Sequence, residues 1–202
     1  MLDATVRKLI DPPLNTAGTV LARSGVSADL VTIIGLFLGL IAAGFVAMGG
    51  YTWALVFILF SRIADGLDGA VARASQRTDF GGYLDITCDF LFYGAIPMAF
   101  VIVDPSANGA AGAVLLTSFY FNGASFLGYA ILAEKRGLET AAQGVKSLYY
   151  SNGLLEGTET IGFFVFLCIF PTSFPILALI FGALCFLTGA FRLYGARRLF
   201  VS

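Results

Sequence analysis

Asp65, Asp68, Asp85 and Asp89 are the residues whose types and spacing could do chemistry. They stand in Asp65-Gly66-Leu67-Asp68-Gly69-Ala70-Val71-Ala72-Arg73, then seven residues on, in Gly81-Gly82-Tyr83-Leu84-Asp85-Ile86-Thr87-Cys88-Asp89. Spacings of three and four put each pair on one face of a helix. Both stretches adjoin strongly apolar segments, where a charged residue costs roughly 2.5–3.5 kcal/mol on insertion. Two carboxylates about 4 Å apart also repel by roughly 4 kcal/mol at an effective dielectric of 20. Arg62 and Arg73 would neutralise part of that charge, and divalent cations would do so more directly. Oxygen ligands without His or Cys select Mg²⁺, Mn²⁺ or Ca²⁺. Two such ions about 3.5–4 Å apart suit a displacement at phosphorus. Gly66, Gly69, Ala72 and Gly81 remove side-chain bulk, and Arg73 offers a fork for phosphate. The same charges would equally serve ion pairs that hold helices together. The alternating Asp-x-Asp-x-Asp order of an EF-hand is missing, which argues against that reading.

The elements that must position these residues are apolar helices. Of 202 residues, 58% are hydrophobic and 12% charged, the signature of a membrane protein. No cleavable signal peptide is expected, since Asp3, Arg7, Lys8 and Asp11 open the chain without an apolar core. The absence of His excludes Ser-His hydrolysis and makes zinc sites improbable. Cys88, Cys168 and Cys185 all fall in apolar segments and read as small buried residues.

The pattern predicts an all-α polytopic membrane protein with six transmembrane helices and a short N-terminal juxtamembrane amphipathic segment. Residues 1–25 form the interfacial arm, broken at Pro12 and Pro13, with a second short helix over Leu14–Ala22. Residues 28–196 form the six-helix bundle, and 1–202 is one domain. The spans are expected at about Ala28–Met48, with Asp29 able to cap it, then from Tyr51 through Arg73, and from Gly81 to Val103. The others are expected at Gly109–Ala133, Leu154–Phe170 and Ile176–Tyr194. The second span has only about eleven apolar residues before Arg62, so its polar half lines a wet cavity or leaves the bilayer early. Lys and Arg all lie toward the side of the two termini, which places both termini and the aspartate chamber in the cytoplasm.

These residues resemble the signature of the CDP-alcohol phosphotransferase (phosphatidyltransferase) family. That signature is Asp-x-x-Asp-Gly-x-x-Ala-Arg, about eight residues, then Gly-x-x-x-Asp-x-x-x-Asp; here it is Asp65, Asp68, Gly69, Ala72, Arg73, Gly81, Asp85 and Asp89. The gap from Arg73 to Gly81 holds seven residues instead of eight. The family's Pro-Asn-x-x-Thr opening of the first span becomes Ala28-Asp29-Leu30-Val31-Thr32. The resemblance implies a membrane-embedded transferase of phospholipid biosynthesis. It would move a substituted phosphate from a CDP-linked lipid, typically CDP-diacylglycerol, to an acceptor alcohol and release CMP. It further implies two divalent cations, Mg²⁺ or Mn²⁺, on Asp65, Asp68, Asp85 and Asp89, with Asp89 as general base toward the acceptor. Gly69, Ala72, Arg73 and Gly81, with Asp29 and Thr32, would bind the CDP diphosphate. The implied setting is the cytoplasmic (inner) membrane, as a homodimer, with no nucleic-acid partner.

The acceptor is less defined. Asp85-Ile-Thr-Cys-Asp89 lacks the Asp-Pro-x-x-Asp-Lys of many glycerophosphate users and the Asp-Ser-x-x-Asp-Arg of many inositol-phosphate users, which leans away from phosphorylated acceptors. Glu156 and Glu159 open the fifth span at a depth like that of the aspartates. They either pair with Arg62 or Arg192 or solvate the interface, or else face the chamber and bind a cationic acceptor. Lys146, in the preceding loop, is a further acceptor-site candidate for a phosphate or headgroup. The competing function is a cation-coupled transporter using the intramembrane carboxylates.

Overall fold

The computed structural model describes residues 3–137, 155 and 157–200. All regular structure among them is helical: α1 (Asp3–Arg23), α2 (Ala28–Ala47), α3 (Tyr51–Ala74), α4 (Asp79–Val103), α5 (Pro105–Lys135), α6 (Gly157–Ile169) and α7 (Phe174–Phe200). A single 3₁₀ turn, Pro171–Ser173, precedes α7. Among the described residues, α2, α4, α5 and the Pro171–Phe200 segment are long and apolar enough to cross a membrane. The chain is therefore a multi-pass membrane protein. The 24 residues of α3 extend about 36 Å at 1.5 Å each, but their second half carries Arg62, Asp65, Asp68 and Arg73. α6 is apolar and 13 residues long.

The helix ends follow local chemistry. Ser27, in an extended conformation, caps α2 by accepting the Leu30 amide at 3.3 Å. The expected cap, Asp29, sits inside the first turn instead. Thr78 caps α4 by accepting the Gly81 amide at 3.0 Å, so that helix starts at Asp79, two residues before the expected Gly81. The expected turn after Asp104 is already helix. Asp104 accepts the Ala107 amide at 3.0 Å, Pro105 occupies the first turn, and α5 begins there instead of at Gly109. Asn108 then donates to Phe100 O at 2.7 Å, satisfying a carbonyl at the end of α4.

The N-terminal arm corrects the sequence reading. Pro12 and Pro13 do not break it: α1 runs unbroken through both. A proline inside a helix costs about 3 kcal/mol, because it removes an amide donor and crowds the preceding turn. Here the turns that follow are seated on α3. A Cβ on Gly18 would stand 2.6 Å from Ala70 Cβ, and one on Gly66 would stand 2.7 Å from Leu14 Cδ1. Asn15 Oδ1 accepts from Arg73 Nη2 at 2.8 Å and from Nε at 3.2 Å. Tertiary contact thus holds a helix that local propensity would end.

α2 packs against both α3 and α4, α5 pairs with α7 and touches α4, and α6 leans on α3. The main core is aromatic. Phe100 stacks on Phe174 with ring centroids 4.9 Å apart, and Phe163 on Phe181 at 4.2 Å. A smaller cluster around Val31, Ala64 and Val71 lies at the end of the bundle that carries the aspartates. α2, α3 and α4 all bring an end to that region.

Candidate active site

α3 carries Asp65 and Asp68, and α4 carries Asp85 and Asp89. The two helices belong to the same three-helix group with α2. One carboxylate oxygen each of Asp65, Asp68 and Asp85 falls within 4.8 Å of the other two. Oxygens sharing one ion at roughly 2.1–2.5 Å must lie no more than about 5 Å apart, so the trio fits a hard divalent cation. With neither His nor Cys in the group, the donor set favours Mg²⁺ or Mn²⁺ over zinc. At 4.8 Å and an effective dielectric of 20, each carboxylate pair repels by roughly 3–4 kcal/mol. A cation between them removes that repulsion.

Asp68 is buried, at 5% exposure. The Thr32 hydroxyl of α2 donates to its Oδ2 at 2.6 Å. Thr32, expected as a substrate contact, is hydrogen-bonded to this carboxylate. Asp29 approaches α4: a Cβ on Gly81 would stand 3.1 Å from Asp29 Oδ1. Gly69 and Arg73 also come together, since a Cβ on Gly69 would meet Arg73 Nη1 at 3.2 Å. Arg73 is exposed and shares its guanidinium with Asn15, while Ala72 is half-buried beside it.

Asp89 occupies a different setting. Arg62 Nη1 donates to Asp89 Oδ1 at 2.7 Å and lies 3.4 Å from Asp65 Oδ1. The guanidinium carbon sits 4.0 Å from the centroid of the Phe92 ring, and Nη2 donates to Ser61 Oγ at 3.1 Å. Ser61 in turn donates to Gly35 O at 2.7 Å. A small cavity of about 10 Å³ lies here, lined by Thr32, Gly35, Leu36, Arg62, Asp65, Cys88 and Asp89. The structure thus gathers oxygens of Asp65, Asp68 and Asp85 within 4.8 Å, with Asp89 adjoining them through Asp65 and Arg62 bridging Asp65 and Asp89.

Of the acceptor-site candidates, Glu156 and Lys146 lie outside the described residues. Glu159 is half-buried in the first turn of α6. Arg192, a suggested partner for these acids, is buried and donates to Asn122 Oδ1 at 2.9 Å and to Ser125 Oγ at 2.7 Å. Sequence reasoning missed Asn15, Ser61, Phe92 and Asn122. Their types are ordinary for membrane helices, and only their contacts give them a role.

A helical membrane bundle that converges carboxylates from two neighbouring helices at one end is a multi-pass membrane protein with a candidate metal centre. Residues 26–191 match the family model described as CDP-alcohol phosphatidyltransferase, and the chain belongs to that family. It is similar to the inner membrane protein YnjF of Escherichia coli, 46% identical over 188 residues that cover 93% of this chain and 91% of that relative. It also resembles the phosphatidylinositol phosphate synthase of Mycolicibacterium smegmatis, 41% identical over 37% of this chain and 34% of that one. The crystal structure of Mycobacterium tuberculosis phosphatidylinositol phosphate synthase (PgsA1) with CDP-DAG bound shares the fold. Its TM-score is 0.66 at 21% identity, over 91% of this chain and 93% of that chain. Family membership sets aside the cation-transporter alternative: this chain is a transferase of phospholipid biosynthesis.

Proposed function

We propose that this protein transfers a phosphatidyl group from CDP-diacylglycerol to the hydroxyl of a small alcohol, releasing CMP, with two divalent cations, Mg²⁺ or Mn²⁺, as cofactors. The observation that carries this reading is the meeting of Asp65, Asp68 and Asp85 oxygens within 4.8 Å, inside the region that matches the family model. Two crystal structures of the fold neighbour, one with CDP-DAG bound and one in complex with manganese and citrate, support the donor and the metal.

Asp65, Asp68 and Asp85, whose oxygens meet, would hold the two ions together with Asp89. Bound there, divalent ions supply positive charge for the diphosphate and for the oxygen that leaves with CMP. The protein's own groups do the rest. Asp89, held through Oδ1 by Arg62, takes the proton of the acceptor hydroxyl. The acceptor oxygen forms a bond to the lipid-side phosphorus, the bond from that phosphorus to CMP breaks, and Asp89 later returns its proton to water. Gly69 and Gly81 keep the approach narrow in side-chain bulk, and Arg73 presents a cation beside Gly69 to the diphosphate. Ala72, Asp29 and Thr32 complete the donor side.

The chain is read as one domain, 1–202, with six spans formed by α2 to α7 and with α1 as an interfacial arm. Every turn at the end away from the aspartates lacks Lys and Arg, which supports both termini and the site facing the cytoplasm. The name of the Escherichia coli relative supports placement in the inner membrane. A homodimer is the expected assembly. Relatives named inositol phosphate synthases match over 37% to 53% of this chain, while the Asp85–Asp89 segment lacks the motif expected for that acceptor. Glu159 stands at the same end and is proposed to help hold a cationic acceptor together with Glu156, and Lys146 is proposed to contact a phosphate or headgroup.

The test is CMP release from CDP-diacylglycerol by protein in nanodiscs with Mn²⁺, across serine, choline, inositol, glycerol and their phosphates. Turnover with one acceptor, abolished by chelation and reduced at least 1000-fold in Asp68→Asn, is expected. Turnover that survives either change would overturn the reading. Glu159→Gln should raise the acceptor KM and leave the donor KM alone. An unchanged acceptor KM would remove Glu159 from the site.

A further inference from the structure

Tyr93 stands four residues after Asp89 on α4, one turn further along and on the same face of the helix. We propose that Tyr93 is a specificity-determining residue for the acceptor. While Asp89 takes the proton of the reacting hydroxyl, the Tyr93 hydroxyl hydrogen-bonds a second polar group of the same small alcohol. This rests on reading Asp89 as the base toward the acceptor.

The phenol lies where α4 meets the start of α6. A Cβ on Gly157, the first residue of α6, would stand 3.5 Å from Tyr93 Oη, so the hydroxyl rests against the opening turn of that helix. Glu159 belongs to the same turn, two residues on. The Tyr93 ring packs against aromatics of both helices, with centroids 5.7 Å from Phe92 and 6.4 Å from Phe164. Phe92 also carries the Arg62 guanidinium 4.0 Å from its ring centroid, and Arg62 binds Asp89 at 2.7 Å. The Tyr93 phenol is within electrostatic reach of that guanidinium. Tyr93 thus stands half-buried between the Arg62–Asp89 pair and the first turn of α6.

The residue type carries the inference. Phe90 and Phe92 precede it on the same helix, and a phenylalanine at position 93 would pack as well as a tyrosine. A hydroxyl in apolar surroundings costs about 1–3 kcal/mol unless it is hydrogen-bonded. Tyrosine accepts that cost in exchange for a group that both donates and accepts at this depth. Four residues of helix rise about 6 Å. Hydrogen bonds of about 2.8 Å reach inward from Asp89 and from Tyr93. The space between them suits a molecule whose two polar groups are two or three bonds apart, an amino alcohol or a polyol, rather than an alcohol with a single hydroxyl.

The experiment is CMP release from CDP-diacylglycerol by the full chain in nanodiscs with Mn²⁺. Serine, ethanolamine, glycerol and inositol are the probes, and propan-1-ol is the comparison that lacks a second polar group. Tyr93→Phe should raise the KM of the acceptor that turns over about tenfold and keep the donor KM within twofold. Mn²⁺ binding, read by electron paramagnetic resonance, should not change. The preference for that acceptor over propan-1-ol should fall by the same factor. Gly157→Val, whose branches would push the phenol aside, should repeat the effect on acceptor KM. Gly157→Ala, whose Cβ makes only ordinary contact at 3.5 Å, should not.

An unchanged acceptor KM in Tyr93→Phe would overturn the proposal. So would donor and acceptor KM rising together, or an equal loss with propan-1-ol, the marks of a tyrosine that only joins α4 to α6. A wild type that releases no CMP with any of these acceptors would instead sink the donor and acceptor reading of the site, and this inference with it.

Discussion

The Thr32 hydroxyl on α2 lies 2.6 Å from Oδ2 of Asp68 on α3, a buried hydrogen bond that ties one wall of the site to its least exposed carboxylate. A hydrogen bond to a charged group contributes about 1.5–3 kcal/mol, and a buried acceptor left without its donor loses that amount. Thr32→Val keeps the shape and removes the donor. CMP release should fall about 10- to 100-fold and Mn²⁺ should bind more weakly, while Thr32→Ser should recover most of both. Equal activity of the Val and Ser variants would mean that Thr32 serves only as packing.

The seat of α1 on α3 depends on Gly18, where a Cβ would meet Ala70 Cβ at 2.6 Å and Val71 N at 3.0 Å. Neither backbone nor a methyl group can yield as a long side chain can. Gly18→Leu should therefore lift α1 and destabilise the protein by about 1–3 kcal/mol, the usual range for overpacking. Gly44 has nothing within 4 Å of its added Cβ, so Gly44→Ala serves as the control and should leave the melting temperature unchanged or raise it slightly. Thermal unfolding in one detergent compares the two.

Asn15 holds Arg73 beside Gly69 through two bonds to one oxygen, at 2.8 and 3.2 Å. The pair is exposed, so its worth to stability is about 1 kcal/mol or less. Its larger effect should be on order: Asn15→Ala lets the guanidinium wander, and the donor KM should rise about threefold with kcat unchanged. A lowered kcat with constant KM would place the role of Asn15 in the chemical step instead.

Asp104 caps α5 from the turn between two spans. Hydrogen bonds from Ser106 and Ala107 hold its carboxyl below the ordinary value of 3.8. A carboxylate with a depressed pKa in the folded state contributes stability above its ordinary pKa and loses it as pH falls through the lowered one. Stability should therefore drop on acidification below about pH 4, and Asp104→Asn, which also caps, should show less of that drop. Unfolding curves of both proteins between pH 3 and pH 6 supply the check.

The carboxylate pairs were legible in the sequence because helical geometry makes residues three and four apart share a face whatever surrounds them. The long apolar runs were equally legible, since crossing lipid demands about 20 residues of one character. Helix starts were legible only in outline. Ser27 and Asp29 both have side chains that cap helices, and the choice fell to the one whose backbone was extended. The prolines misled for a related reason: their cost is local, while the contacts of Leu14, Asn15 and Gly18 that offset it come from α3, some fifty residues away.

From the sequence alone came the family, the four aspartates and the membrane setting, all carried by short-range spacing and by composition. Which of those aspartates Arg62 contacts came from tertiary structure. Whether an arginine meets the acid three residues on or the one 27 residues away depends on how α3 and α4 turn toward each other. In the folded chain Arg62 reaches both, closer to Asp89, with its guanidinium over the Phe92 ring and bonded to Ser61.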